Sequence, residues 1–461
     1  FYSTTVDFRE FDRELIQLFA DTLQVEVEFI EHPAGESMVR ALKSGIADVA
    51  VGMPLDPSAS LQFTQPILDY QLQLIRHRDT PSLKFTDDLA FDLVVAAESI
   101  ETQALMALST QRPEIDWTKR KAAFLDIVKS VRSFGHDYDC VIPVSGGKDS
   151  TWQTAVCLDY GLKPLAVTWR PPGRTTLGQR NLENLMRLGV DHIDYSINIE
   201  VERRFMLKTF REGGSTAIPM HLAIFSIPLK VAVAFDIPLV VWGENSATEY
   251  GGRDEDARSE SLDSAWVQRY GVTQGTTAKD WVGPELSAQE LAAYMPPSDA
   301  ALKTAGTRAV FLGHYFPWDP EHTRDVAAAR GFVVDATGPR TGLFDYADID
   351  DNFISLHHWI KWYKFGFTRT YDNLSLEIRN GRITREQAIG YIRSRGDETP
   401  WKDLELFSEF AGDSVAQLIE TAQTFRNRKI WAERSDGVWE IPGFLVEDWN
   451  WRPDSSLGRP Q

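Results

Sequence analysis

Four short apolar runs, at residues 139–144, 164–169, 238–242 and 309–312, and a mixed segment at 192–197 punctuate the chain after its first quarter. Each is too short for a helix core and reads as a strand, buried at 139–144 and 238–242. Between them, residues 151–160, 177–188, 200–211 and 220–235 carry helical periodicity. Alternating strands and helices of this kind can close only as a parallel sheet with helices on both faces. The predicted class is therefore α/β, a doubly wound parallel sheet. Ligands in such sheets sit beyond the C-terminal strand ends. That rule gathers three loops, at 145–150, 168–174 and 243–252.

The first of these loops reads Ser145, Gly146, Gly147, Lys148, Asp149, Ser150. It lies between a buried strand and a helix N-terminus, the usual setting for an anion. Glycines let the backbone approach phosphate, and helix amides point at it. Lys148 adds positive charge, and Ser145 and Ser150 add hydroxyls. Asp149 beside phosphate suits a magnesium ligand or a helix cap. The spacing is neither the Walker loop nor the dinucleotide fingerprint. It resembles the PP-loop of ATP pyrophosphatases, of adenine nucleotide alpha hydrolase-like fold. That resemblance implies a cradle for the β- and γ-phosphates while the α-phosphate is attacked.

Residues 1–114 read as a separate small α/β segment. A helix is predicted at 11–23, a strand at 25–30, a short helix at 37–44 and a strand at 47–51. "SGIADVAVGMPLDPSASLQFTQPI" and "YQLQLIRHRD" resemble the first lobe of family 3 solute-binding proteins, including the version at the front of lytic transglycosylases. The resemblance stops before a second lobe is complete, and half a clamp implies weak ligand binding. The domain organisation is then 1–114, an ATP-binding domain at 115–345 and a mainly helical substrate or partner region at 346–461.

Composition narrows the function. The 461 residues carry a formal charge of -19, which disfavours a nucleic-acid surface. Cys140 and Cys157, the two cysteines, support neither a disulfide framework nor a four-cysteine metal site and read as buried thiols. No stretch reads as an uninterrupted apolar run of the roughly 18 residues a membrane helix needs, so no membrane partner is expected. There is no signal peptide, and the opening at Phe1 without methionine is the expectation for a chain with an upstream segment removed.

Longer stretches carry a second resemblance. "YGLKPLAVTWRPPGRTTLGQRNLENLMRLGVDHIDYSIN", "VVWGENSATEYGG", "YADIDDNFISLHHWIKWYKFGFTR" and "NLSLEIRNGRITREQAI" resemble N-acetyl sugar amidotransferases of lipopolysaccharide and nonulosonic-acid biosynthesis, over residues 115–451. The family implies conversion of a sugar acetamido group to an acetamidino group in the cytoplasm, using ATP and Mg2+. Ammonia would come from a glutaminase subunit paired with a cyclase-like subunit. The substrate would be a nucleotide-linked or nonulosonic N-acetyl sugar. One element is missing: no counterpart of the family's cysteine-rich, zinc-ribbon-like segment precedes Ile115, so an expectation of zinc is not carried over.

Residue roles follow. Ser145, Gly146, Gly147, Lys148 and Ser150 would hold pyrophosphate, and Asp149 would hold magnesium. Thr168, Trp169 and Arg170 end the second strand, where the fold faces adenosine; Trp169 serves equally well as packing. Arg174, like Arg170, suits phosphate or a sugar carboxylate, or stands as a solvated loop arginine. Glu244 and Asn245, after the strand ending at Trp242, are taken as catalytic, and Glu249 as substrate-binding. A helix predicted at 351–365 carries His357, His358, Lys361 and Lys364, with Arg369 beyond it. Lys361, Lys364 and Arg369 either meet the sugar nucleotide or lie on a solvated face. Asp348, Asp350 and Asp351 read as a solvated acidic turn and helix cap, with a metal cluster as the alternative. Two other functions remain open: a tRNA-modifying enzyme with the same loop, and a solute-binding module in residues 1–114.

Overall fold

The computed structural model describes residues 115–133, 135–243 and 262–451, together with the pairs 49–50, 62–63 and 75–76. The chain divides into two units, residues 1–114 and 115–461. In the first, strands β1 (Val49–Ala50) and β2 (Gln62–Phe63) each pair antiparallel with β3 (Ile75–Arg76). The strand predicted at 47–51 contains β1. The other N-terminal elements lie outside the described residues.

The second unit opens with α1 (Trp117–Arg132), whose first turn Asp116 caps by accepting from Lys119 N at 3.0 Å. Next come β4 (Cys140–Pro143), α2 (Lys148–Asp159), β5 (Pro164–Trp169), α3 (Thr176–Met186) and β6 (Asp191–Tyr195). Then follow α4 (Ile199–Gly213), α5 (Ala217–Ala234) and β7 (Leu239–Trp242). After α6 (Ser264–Tyr270) and α7 (Asp299–Ala305), β8 (Arg308–Phe311) completes the sheet. The order is β6-β5-β4-β7-β8, parallel throughout. The doubly wound class expected from the sequence is the one observed. Its strand order reverses between β4 and β7, which puts the ligand crevice there.

Why both faces carry helices is visible in the strand side chains, which alternate in direction. Val141, Leu165, Val167, Val240, Trp242 and Phe311 pack on one face with Phe205 of α4 and Leu222 and Phe225 of α5. Cys140, Ile142, Ala166, Leu239, Val241 and Val310 pack on the other with Phe124 of α1, Trp152 of α2 and Leu182 of α3. Cys140 and Cys157 meet there as buried free thiols.

Helix α5 corrects the expectation about membrane helices. Its 18 residues reach a mean hydropathy of 1.7, enough by length and composition to span a bilayer. Pro219, His221, Ser226, Pro228 and Lys230 interrupt the run and obscure it in the sequence. In the fold 67% of it is buried, as a core helix against the sheet.

Beyond β8 come the short α8 (Leu312–Tyr315) and α9 (Pro320–Ala328). The C-terminal region is helical: α10 (Ile354–Phe365), α11 (Arg369–Arg379), α12 (Arg385–Arg395), α13 (Trp401–Ala411) and α14 (Val415–Thr424). Leu356, Trp359 and Ile360 of α10 share one core with Met206 and Phe210 of α4, Phe407 of α13 and Leu418 of α14. This packing ties the helical region to the sheet through α4.

Candidate nucleotide site

The loop between β4 and α2 sits where the strand order reverses. Helix α2 begins at Lys148, three residues earlier than the apolar pattern suggests, so Lys148, Asp149 and Ser150 form its first turn. Gly147 caps the helix with backbone alone, and no side chain takes the first-turn amides. Those amides have no intrahelical acceptor and face the crevice as an anion site. The loop closes on itself. Gly146 N donates to Ser150 Oγ at 3.2 Å, Gly147 N donates to Ser145 Oγ at 3.3 Å, and Ser150 Oγ donates to Gly147 O at 3.1 Å. Gly146 is irreplaceable here: φ is +88°, and a Cβ would stand 2.6 Å from Leu182 N.

Lys148 is only 7% exposed. Its Nζ donates to Asp149 Oδ2 at 2.5 Å and lies 5.4 Å from the Trp318 ring and 5.8 Å from the Tyr346 ring. The other carboxylate oxygen, Asp149 Oδ1, accepts from Trp318 Nε1 at 3.0 Å and Thr323 Oγ1 at 3.2 Å. Asp149 therefore has a protein donor on each oxygen. Among the described residues no group of three or more His, Cys, Asp or Glu is arranged to hold a metal ion. With both its oxygens engaged, Asp149 would hold a magnesium ion carried on ATP phosphates through water rather than directly.

At the end of β5, Thr168 and Trp169 point inward. Thr168 Oγ1 donates to Val144 O at 2.8 Å and lies 2.9 Å from His192 Nε2. Trp169 Nε1 donates to Glu202 Oε1 at 2.6 Å. Both side chains serve the fold, leaving backbone as their contribution to the crevice. Arg174 forks onto Asp194 with two contacts of 2.7 Å. Arg170 stands 3.8 Å from the same carboxylate with a side chain 58% exposed. Of the two arginines, Arg170 is the more open to a ligand.

The acidic turn is not solvated, contrary to the sequence reading. It runs beside the 173–175 loop: Thr175 N donates to Asp350 O at 2.9 Å, Asn352 N donates to Gly173 O at 2.9 Å, and Thr175 Oγ1 donates to Ile349 O at 2.6 Å. Gly178 allows the approach, since a Cβ there would sit 2.6 Å from Asp350 Cα. Burial holds the Asp350 carboxyl above the usual pKa range. Burial pushes Asp351 up to about 7 and Glu202 up to about 8. Asp348 moves the other way. Burial would raise it, but Arg369 and His358 pull it well below the ordinary carboxylate range.

Arg369 and Lys361 converge behind this turn. Arg369 Nε donates to Asp348 Oδ2 at 3.3 Å, and its NH1 stands 3.8 Å from Asp372. Lys361 Nζ donates to Asp372 Oδ2. The chain of contacts Asp348–Arg369–Asp372–Lys361 thus brings two of the expected substrate residues together behind the acidic turn, already paired with carboxylates. Lys364 is directed elsewhere, onto Gly213 O at 2.8 Å. His357 and His358 are buried, and burial lowers the pKa of both. Glu244, Asn245 and Glu249 lie outside the described residues. Sequence reading missed Trp318 and Thr323, which reach Asp149 from 169 and 174 positions away. No local spacing signals such a contact.

Comparison with known proteins adds three findings. Residues 343–443 match the family described as LPS biosynthesis protein WbpG-like, C-terminal domain. That segment carries Asp348, Asp350, Lys361 and Arg369. A curated relative, membrane-bound lytic murein transglycosylase F of Shewanella frigidimarina, is 31% identical over 112 residues in the N-terminal part. The match spans 24% of this chain and 24% of that protein. Among solved structures, NMN synthetase from Francisella tularensis aligns with a TM-score of 0.32 and 12% identity, over 65% of this chain and 94% of that one. NAD+ synthetase from Burkholderia pseudomallei aligns with a TM-score of 0.21 and 16% identity, over 50% and 94%.

Proposed function

We propose that residues 115–451 form an ATP-dependent amidotransferase that turns the acetamido group of a sugar into an acetamidino group, in lipopolysaccharide or nonulosonic-acid biosynthesis. The observation that carries this reading is the loop at 145–150. It joins the central strand to a helix whose first-turn amides no side chain caps, at the reversal of a parallel sheet. The match of residues 343–443 to a lipopolysaccharide biosynthesis domain supports the substrate class, because that segment reaches the loop through Tyr346, whose ring lies 5.8 Å from Lys148 Nζ.

An amide carbon is a poor electrophile until its oxygen becomes a leaving group. The acetamido oxygen attacks the ATP α-phosphorus, pyrophosphate departs, and the amide nitrogen gives up its proton. Ammonia then adds to the activated carbon and AMP leaves. Positioning and charge neutralisation supply most of the catalysis in the first step. The α2 amides, the Ser145 and Ser150 hydroxyls and Lys148 hold the departing pyrophosphate. Arg170 meets phosphate or sugar from the rim. A bound magnesium ion would neutralise phosphate charge, and Asp149 would hold it through water. Glu244, Asn245 and Glu249, after β7, belong to the opposite wall in this reading. Ammonia is supplied by a glutaminase partner, and the need for ATP implies a cytoplasmic reaction.

The test is mass spectrometry of full-length protein with ATP, magnesium, ammonium and a panel of UDP-linked acetamido sugars and N-acetylated nonulosonic acids. Replacement of one oxygen by NH, with AMP and pyrophosphate released, is the expected result. Absence of AMP with every substrate would overturn the adenylation reading.

A further inference from the structure

Trp318 touches both members of the Lys148–Asp149 pair. Its indole N–H donates to Asp149 Oδ1 at 3.0 Å, and its ring lies 5.4 Å from Lys148 Nζ. Thr323, fully buried on α9, places its hydroxyl 3.2 Å from the same oxygen and 3.2 Å from Pro320 O, so its one proton is shared between the two. Lys148 then occupies the other oxygen, Oδ2. A carboxylate on its own rotates about its Cβ–Cγ bond. An indole donor on one oxygen, with the Thr323 hydroxyl beside it, and a cation on the other fix its plane.

We propose that Trp318 is a positioning residue for the ATP loop: with Thr323 it fixes the Asp149 carboxylate, and the carboxylate fixes the Lys148 ammonium where phosphate arrives. The proposal rests on the reading of residues 145–150 as an ATP site. Lys148 has three N–H donors. With one committed to Asp149, two are left for phosphate oxygens. A cation held in place needs no reorganisation when charge develops on the departing pyrophosphate.

Folding needs alone do not account for the arrangement. Helix α9 is already capped, because Asp319 Oδ1 accepts from Glu321 N at 3.0 Å and His322 N at 3.1 Å. Trp318 is therefore surplus to closing that helix, yet its indole N–H is aimed at Asp149, and the Thr323 hydroxyl stands between Pro320 O and the same carboxylate oxygen. The segment is also anchored from its far side. Arg382 donates to Asp319 Oδ2 from NH1 at 3.0 Å and NH2 at 2.7 Å. Arg382 belongs to the region that matches the lipopolysaccharide biosynthesis domain. Trp318 and Asp319 thus stand between that region and the loop, one hand on each.

The experiment is a double-mutant cycle on Mg-ATP affinity, measured by titration calorimetry on the full chain. The proteins are wild type, Trp318→Phe, Lys148→Met and the double variant. Trp318→Phe keeps a ring and removes the N–H. It is expected to weaken ATP binding about tenfold, as for loss of one hydrogen bond to a charged group. In the Lys148→Met background the same change is expected to cost less than twofold, since the cation it places is gone. Thr323→Val, nearly isosteric, is expected to follow the same pattern, and Thr323→Ser to retain wild-type affinity. The proposal is overturned if Trp318→Phe binds within twofold of wild type, or if its loss is equal in both backgrounds. Failure of the wild type to bind Mg-ATP would instead overturn the ATP reading itself, and the proposal with it.

Discussion

The indole N–H of Trp169 donates to Glu202 Oε1 at 2.6 Å, and both side chains are buried at the C-terminal end of β5. Burial pushes Glu202 up to about 8, against the opposing pull of the indole, and nearby Asp351 adds to the rise. The folded protein therefore binds this proton more tightly than the unfolded chain does. The associated stability is fully present below the unfolded pKa near 4.5 and is lost as pH rises through about 8. Melting temperature is expected to fall between pH 5 and 8, by the equivalent of a few kcal/mol at most. Glu202→Gln keeps an acceptor for Trp169 and carries no proton equilibrium. Its melting temperature should vary less with pH, and it should be the more stable protein at pH 8. Parallel thermal scans across that range check this; matching slopes in the two proteins would refute it.

Gly146→Ala is expected to damage the loop without touching a ligand. The residue's φ of +88° is left-handed, and the added Cβ would meet Leu182 N at 2.6 Å in backbone that cannot yield easily. The cost is about 1–3 kcal/mol of strain, concentrated at the approach of the loop to α3. ATP affinity should fall much more than global stability does. Calorimetry paired with denaturant unfolding separates the two; a purely global loss would contradict the prediction.

Most of the strand ladder was legible because β4, β5, β7 and β8 are short, largely apolar segments, and β5 falls at 164–169 as expected; β6, Asp-His-Ile-Asp-Tyr, is an exposed edge strand without that signal. Helix α2 was placed late because Lys148, Asp149 and Ser150 look like loop chemistry. A helix first turn welcomes such residues, acidic ones above all. Asp348, Asp350 and Asp351 were misread because three acids in four residues normally face water. Nothing local shows that Thr175 and Gly178, over 170 positions away, offer them a backbone partner and a gap. The availability of Arg174 was hidden for the same reason. A sequence shows a cation but not the carboxylate waiting for it, here Asp194 across the β5–β6 connection.

Asp348 tests the buried ion-pair network behind the loop. Its carboxylate meets Arg369 at 3.3 Å and His358 at 3.5 Å. Asp348→Asn would leave Arg369 with Asp372 at 3.8 Å and shared with Lys361. The expected loss is about 3 kcal/mol, because a buried guanidinium loses its nearer carboxylate. Adding Arg369→Met should recover part of it, since the stranded charge is removed. Chemical denaturation of the three variants reads the outcome; a double variant no more stable than Asp348→Asn would count against the pairing. The depressed pKa of Asp348 makes its contribution present above the unfolded carboxylate range and lost only in strong acid. The wild type should therefore keep this interaction throughout neutral pH.

Arg174 and Asp194 decide between two uses of one arginine. The fork of two 2.7 Å contacts leaves the Arg174 side chain 10% exposed. An arginine held this way shapes the 170–175 loop; an arginine recruited by substrate would have to give up its partner. Arg174→Gln and Asp194→Asn are expected to reduce kcat/KM by similar factors, roughly tenfold each, with little further loss in the double variant. Arg174→Lys should resemble Arg174→Gln, because an ammonium cannot fork onto both carboxylate oxygens. Arg170→Gln, by contrast, removes a cation that is 58% exposed on the rim. It should raise KM with little change in melting temperature. Steady-state AMP release over the five variants checks the assignment. If Arg174→Gln were far more damaging than Asp194→Asn, the guanidinium would be meeting the substrate directly, and the fork seen here would be its resting position.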